Sequence, residues 1–222
     1  MQKFKLSLAA AALITALPLL QGCVPVVIAG GAAAGVMSAH DRRSTGTQTD
    51  DETTEWKAAQ RVPEKYKSPS HLNFTAYNHR LLITGETPSE EAKSIIGEQA
   101  SKVEGVREVI NELAISATTS SLGNRSNDSY ITSKLKARLV DSNQLSANHI
   151  KVVTENSIAY LMGIVTDREG KIAVEIARRT DGVRKVINVM EIMPDADIRR
   201  IDTSAPGGSR TPPPPVAPVE TR

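Results

Sequence analysis

The chain has 222 residues, with 27 Lys and Arg against 25 Asp and Glu, a formal charge of +2. That near balance excludes the strong basic excess of a bulk nucleic-acid binder. Aromatic residues make up only 3% of the chain, too few for a base-stacking surface or a carbohydrate cleft.

Lys3 and Lys5 precede an almost wholly apolar run over residues 6–20, with Pro18 near its end. This is the pattern of a secretion signal, which is removed and does not belong to the fold. The run leads into Leu20-Gln21-Gly22-Cys23, and Cys23 is the single cysteine. Leu three positions before the cysteine and a small residue directly before it resemble the bacterial lipobox. The resemblance implies a signal peptide over 1–22 and a lipidated Cys23 as the new N-terminus, so the protein is anchored to a membrane rather than spanning it. A buried structural thiol or a plain secretion signal are the alternatives. A lone thiol in an exported chain invites unwanted disulfides, which favours lipidation. Loss of Lys3 and Lys5 leaves 25 basic and 25 acidic residues, a formal charge of zero.

Residues 24–39 are also apolar, but Pro25, Gly30, Gly31 and Gly35 make a poor helix, and the run is shorter than the ~20 residues a span needs. Residues 23–46 are expected to form a flexible tether. In lipoproteins with such a lipobox the residue after the cysteine influences sorting. Val24 is not an acidic inner-membrane retention signal, which implies the outer membrane of a Gram-negative cell, facing the periplasm.

A helix is expected over residues 50–61, with Trp56, Ala59 and Val62 as its apolar positions and Pro63 ending it. Residues 72–76 and 81–85 read as strands joined by a turn at Asn78-His79. Thr87-Pro88-Ser89-Glu90 has the spacing of a capping box, with Pro at the first helical position. Ala92, Ile95, Ile96 and Ala100 give that helix one apolar stripe, Gly105 fits its exit, and a third strand follows. Residues 116–125 are the expected linker. A helix over residues 128–140 then buries Ile131, Leu135 and Leu139. The pattern returns with strands at 150–154 and 159–163 around Asn156-Ser157, and a capping box at Thr166-Asp167-Arg168-Glu169. Ile172, Ala173, Ile176 and Ala177 form its helical stripe, and Gly182 marks the exit. Residues 194–222 hold seven of the twelve prolines and are expected to be a disordered tail with polyproline II character.

The repeat is explicit in the third strands. E-G-V-R-E-V-I-N-E-L at 104–113 matches D-G-V-R-K-V-I-N-V-M at 181–190, and L-L-I-T-G at 81–85 matches A-Y-L-M-G at 159–163. The hairpin, the glycine closing it and the G-V-x-x-V-I-N strand resemble the BON domain. The resemblance implies an α+β chain of two tandem αββαβ domains at 47–115 and 126–193, each a three-stranded mixed sheet packed against helices. Together with the lipobox, the chain resembles the dual-BON-domain outer-membrane lipoproteins, which are associated with lipid binding, envelope stress and cell division. The opening helix of the first domain departs from the pattern in being short and poorly apolar.

Nothing in the sequence points to catalysis. His40, His71, His79 and His149 are widely spaced, and none pairs with another at metal-ligand spacing, so they read as isolated surface residues. There is no G-x-S-x-G elbow and no P-loop. The acidic pairs Asp50-Asp51 and Glu90-Glu91 suit helix first turns. No enzyme activity, cofactor or metal is expected.

The binding candidates lie in the second domain. Residues 49–115 carry 8 basic and 12 acidic side chains, whereas residues 126–193 carry 10 basic and 8 acidic, so an anionic surface would prefer the second domain. Its opening helix has Tyr130, Lys134 and Ala137 on one flank of the buried stripe, Arg138 at the boundary and Lys136 on the far side. From the residues alone, a solvated cationic flank with Tyr130 covering the core is the better account. The family resemblance implies instead that this helix binds phospholipid, with phosphatidylglycerol in the inner leaflet of the outer membrane as the expected partner. The competing expectation is a non-enzymatic scaffold for envelope proteins, acting through the exposed flank of the second sheet or the proline tail.

Overall fold

The computed structural model describes residues 41–204. Cys23, most of the expected tether and the tail beyond Ser204 lie outside the described residues. The elements in chain order are α1 (Thr45–Arg61), α2 (Glu64–Lys67), β1 (His71–Tyr77), β2 (Arg80–Thr87), α3 (Glu90–Ser101), β3 (Glu108–Asn111) and β4 (Ala114–Ile115). The second copy follows as α4 (Leu122–Asp141), β5 (Ile150–Glu155), β6 (Ile158–Val165), α5 (Asp167–Arg178), β7 (Lys185–Asn188) and β8 (Glu191–Ile192), and α6 (Asp195–Ser204) closes the described chain.

Each copy is built on a hairpin. β1 pairs antiparallel with β2, and β5 with β6. The two-residue turns place Asn78 and His79 at φ 52° and 65°, and Asn156 and Ser157 at φ 50° and 61°, the left-handed geometry that matches strand twist. The opening helix of each copy holds its turn. The Asp51 carboxylate accepts from the Asn78 and His79 N–H groups at 2.7 and 2.9 Å, and Asp128 accepts from Asn156 and Ser157 at 2.8 and 2.9 Å. At the open end, a Cβ on Gly85 would lie 2.0 Å from the His71 carbonyl oxygen, and one on Gly163 would lie 2.3 Å from that of His149. Only glycine lets the paired backbones approach so closely.

The central strands β2 and β6 each pair in parallel with two short strands, giving four-stranded sheets rather than the expected three. The third strand is interrupted by its own asparagine. Asn111 Oδ1 accepts from Leu113 N at 3.3 Å and Asn188 Oδ1 from Met190 N at 2.9 Å, side-chain turns that compete with the ladder. The V-I-N motif therefore marks where the strand breaks.

Helices cover one face of each sheet. Ala58, Val62, Leu81, Ile83, Ala92 and Ile96 belong to the first core, and Leu135, Leu139, Leu161, Val165, Ala173 and Ala177 to the second. Side chains alternate along β2 and β6, so Leu82 and Tyr160, Met162 and Ile164 point the other way. These residues meet with Tyr77, Val189 and Ile198 in a third buried cluster that joins the two sheets. Polar contacts frame it: Arg80 Nη1 donates to the Val189 carbonyl at 2.6 Å, and Lys151 Nζ to Glu55 Oε1 at 2.8 Å. The two copies thus stack back to back in an α/β/β/α arrangement. The face of the second sheet turned away from its own helices is covered by the first copy and by α6.

Several boundaries differ from the sequence expectation. Trp56 is 66% exposed and lies outside the core; the buried stripe of α1 is Asp51, Thr54 and Ala58, and Val62 enters the core as expected, just past the end of the helix. Thr87 stays in β2, and Ser89 caps α3 by accepting from Ala92 N at 3.1 Å, whereas the Thr166–Glu169 capping box forms as expected. Ser121 caps α4, so that helix begins at Leu122 and shortens the linker. Residues 195–204 form a helix instead of the start of a disordered tail, because Ile198 and Ile201 pack onto the intersheet cluster. The expected tether ends earlier as well. The Arg42 side chain, only 4% exposed, holds Glu169 and Asp202 at 2.8 and 2.9 Å and donates to the Ile164 carbonyl at 2.8 Å.

Candidate functional site

The outer face of α4 carries the residues singled out from the sequence. Ile131, Leu135 and Leu139 are buried, which turns the opposite side of the helix to solvent. Tyr130 is 65% exposed and does not cover the core. Ala137 and Lys136 are exposed as well. Lys136 makes no hydrogen bond or ion pair among the described residues.

The other two cations are engaged. Lys134 Nζ lies 2.8 Å from Asp181 Oδ2, and this contact holds the Asp181 carboxyl below its ordinary range. The Arg138 guanidinium donates to the Arg179 carbonyl oxygen. Both contacts run from α4 to the end of α5, so they orient the long side chains along the rim of the helix. Neither partner is a buried countercharge: Asp181 is 89% exposed, and the Arg179 partner is a neutral carbonyl.

The face includes two residues that were not singled out. Leu122 is 81% exposed and Val140 61%. With Ser126, Tyr130, Ser133 and Ala137 they recur at three- and four-residue spacing, so one exposed face runs the length of α4. The recurrence was available in the sequence. Starting the helix at Asp128 hid Leu122, and Val140 passed for the helix end.

The first copy has a related but different face. Aligned through Asp51 and Asp128, Lys57 and Arg61 occupy the places of Lys134 and Arg138, and Trp56 that of Ser133. Trp56, Lys57, Arg61 and Lys102 line an open groove of about 460 Å³.

The histidines are not all at the surface. The side chains of His71 and His149 are only 15% and 13% exposed, and the Nδ1 atom of each is buried without a hydrogen-bond partner. No helix among the described residues is long and apolar enough to cross a membrane.

Comparison with known proteins agrees with this architecture. Residues 50–117 and 127–194 each match the BON domain. The chain is 39% identical over 185 residues to the outer membrane lipoprotein DolP of Haemophilus influenzae, covering 82% of this chain and 95% of that protein. It is 35% identical over 152 residues to a protein named 21 kDa hemolysin from Actinobacillus pleuropneumoniae, covering 68% of this chain and 78% of that one. The C-terminal domain of CdsD, a structural protein of the type III secretion system of Chlamydia trachomatis, overlays 63% of this chain and 96% of its own at 14% identity; its TM-score of 0.26 is too low to bear on fold or function. With both structural copies matched over most of the described residues, the chain belongs to the BON domain family.

Proposed function

We propose that the protein is a non-enzymatic, lipid-anchored lipoprotein of the outer membrane, facing the periplasm, and that its second BON domain lays the outer face of α4 on anionic phospholipid. The observation that carries this is the exposure of Tyr130 on a helix face shared with Leu122, Ala137 and Val140 and flanked by Lys134, Lys136 and Arg138. An apolar strip with a tyrosine suits the headgroup boundary, where amphipathic rings are favoured. Each cation near an anionic leaflet adds on the order of 1 kcal/mol. Alone, such a face binds weakly. The acyl group expected on Cys23 raises its effective concentration at the bilayer, so weak adhesion is sufficient. The similarity to an outer membrane lipoprotein over 95% of that protein's length supports the location. A contribution to outer-membrane integrity, including action at the division site, rests on the family resemblance.

Vesicle flotation of an unacylated Cys23→Ser chain tests the headgroup preference. The chain is expected to float with phosphatidylglycerol vesicles and to stay behind with phosphatidylcholine. Equal flotation with both would refute the anionic preference.

A further inference from the structure

A polar cluster at the junction of the two copies has no part in the lipid-facing surface. His71 opens β1, and Glu86 lies directly across the hairpin from it in β2. Glu155 ends β5 and comes from the other domain. His71 Nδ1 is 3.3 Å from Glu86 Oε2 and 3.6 Å from Glu155 Oε1, and one donor atom from each residue lies within 4.8 Å of the others. Both glutamate side chains are 8% exposed.

We propose that His71, Glu86 and Glu155 bind one divalent transition-metal cation of the zinc type, which clasps the two BON domains together. The donor set is one imidazole nitrogen and two carboxylate oxygens, a combination zinc accepts with a water in the remaining position. Ligand bonds of about 2.0–2.2 Å around a tetrahedral centre put neighbouring donors about 3.3–3.6 Å apart. The two measured separations from Nδ1 fall at this spacing.

Three further observations point to a ligand. The Nδ1 atom of His71 is buried and makes no hydrogen bond, although buried polar atoms are ordinarily satisfied. The carboxylates are already fixed from outside, as a metal site's outer partners would fix them. Asn73 Nδ2 donates to Glu155 Oε2 at 2.6 Å, leaving Oε1 on the His71 side, and Ser120 holds Glu86 through its hydroxyl and its N–H. A cavity of about 240 Å³ adjoins His71 and Glu155, bordered also by Arg125, Asp128 and Thr132, and it gives room for metal-bound water.

The alternative is a metal-free ion pair in which His71 is protonated between the two carboxylates. Full-length protein in detergent, stripped with chelator, distinguishes the two. Zinc chloride titrated into the wild-type protein is followed by calorimetry and by thermal unfolding. The expected result is one zinc per chain and an unfolding midpoint raised by several degrees. In Glu155→Gln, which keeps the side-chain shape, and in His71→Gln, the zinc-dependent shift is expected to vanish while the metal-free midpoint stays measurable. A wild-type protein whose midpoint does not move with zinc overturns the proposal without reference to any variant. So does a shift that both variants retain, which would place the metal elsewhere.

Discussion

Lys134 Nζ sits 2.8 Å from Asp181 Oδ2, so the basic side of α4 meets an acid that comes from beyond the end of α5. Asp181 is 89% exposed, and an ion pair so open to water contributes little to stability. Its effect on an approaching anionic surface is larger, because it cancels one cation of the face. Asp181→Asn is therefore expected to strengthen binding to phosphatidylglycerol vesicles by roughly fivefold, the equivalent of about 1 kcal/mol for a released cation. Lys134→Glu is expected to weaken it by more. Vesicle titration at low ionic strength measures both, and unchanged affinity in Asp181→Asn would show that Lys134 does not face the lipid.

Tyr130→Glu is expected to abolish binding while leaving the fold intact. The side chain is 65% exposed, and exposed substitutions ordinarily stay within about ±0.5 kcal/mol. The unfolding midpoint and the far-UV spectrum of the variant should match the wild type. Loss of both binding and fold would mean that Tyr130 supports the core after all.

Ionic strength separates a lipid surface from an apolar protein contact. The screening length falls from about 8 Å at physiological salt to about 3 Å at 1 M. Vesicle binding by the unacylated chain should drop steeply over that range. An affinity that holds at 1 M salt would favour the scaffold account, for which the groove beside Trp56 is then the surface to examine.

The seam between the sheets is expected to control stability. Leu82 is fully buried in the cluster it shares with Tyr160, Met162 and Ile164. Leu82→Ala should cost about 2–5 kcal/mol, the range for buried leucines, and shift the chemical unfolding midpoint accordingly. A shift no larger than that of an exposed substitution would mean that the two domains fold without relying on this contact.

His149 gives the fold a predicted acid sensitivity. Burial, and next the positive charge of Arg42, hold its imidazole below the ordinary value of 6.5, against the weaker pull of Asp202, Glu169 and Asp41. An imidazole depressed in the folded state stabilises the fold above pH 6.5, and that stability is lost as pH falls toward the folded value. Glu169 is likewise held below its ordinary range by Arg42, despite a burial effect of opposite sign. Its contribution is lost only at still lower pH, below its ordinary value of 4.5. Thermal midpoints measured from pH 7.5 to 5 should therefore decline, and His149→Gln should flatten the decline over that interval.

Much of this fold was legible because the chain states its unit twice. The matched asparagine turns, the closing glycines and the 3.6-residue stripes of α3 and α5 placed the hairpins and the helices that follow them in both copies. Capping by Ser89 and Ser121 was not legible, since Thr87 and Asp128 are equally good caps by type and only their tertiary duties decide: Thr87 pairs in the sheet, and Asp128 holds the second hairpin turn. The helix over residues 195–204 was masked by the prolines beyond it. On the candidate face, the places of Tyr130, Ala137 and Lys136 off the buried stripe were legible from helical geometry, but the exposure of Tyr130 was not, because a tyrosine beside the stripe can equally cover the core. The engagement of Lys134 by Asp181 was not, because the two lie 47 residues apart. The His71, Glu86 and Glu155 cluster was invisible for the same reason, since its donors come from three strands and Glu155 joins the His71–Glu86 pair only once the two copies stack.

Contact between the outer face of α4 and lipid is tested most directly by a reporter on that face. In a Cys23→Ser background, Ala137→Cys carries an environment-sensitive fluorophore, and Ser94→Cys on exposed α3 of the first domain serves as the reference. Phosphatidylglycerol vesicles are predicted to shift the emission at position 137 to the blue and to leave position 94 unchanged. Equal shifts at both positions, or none at 137 while the chain still floats with the vesicles, would contradict lipid binding through α4.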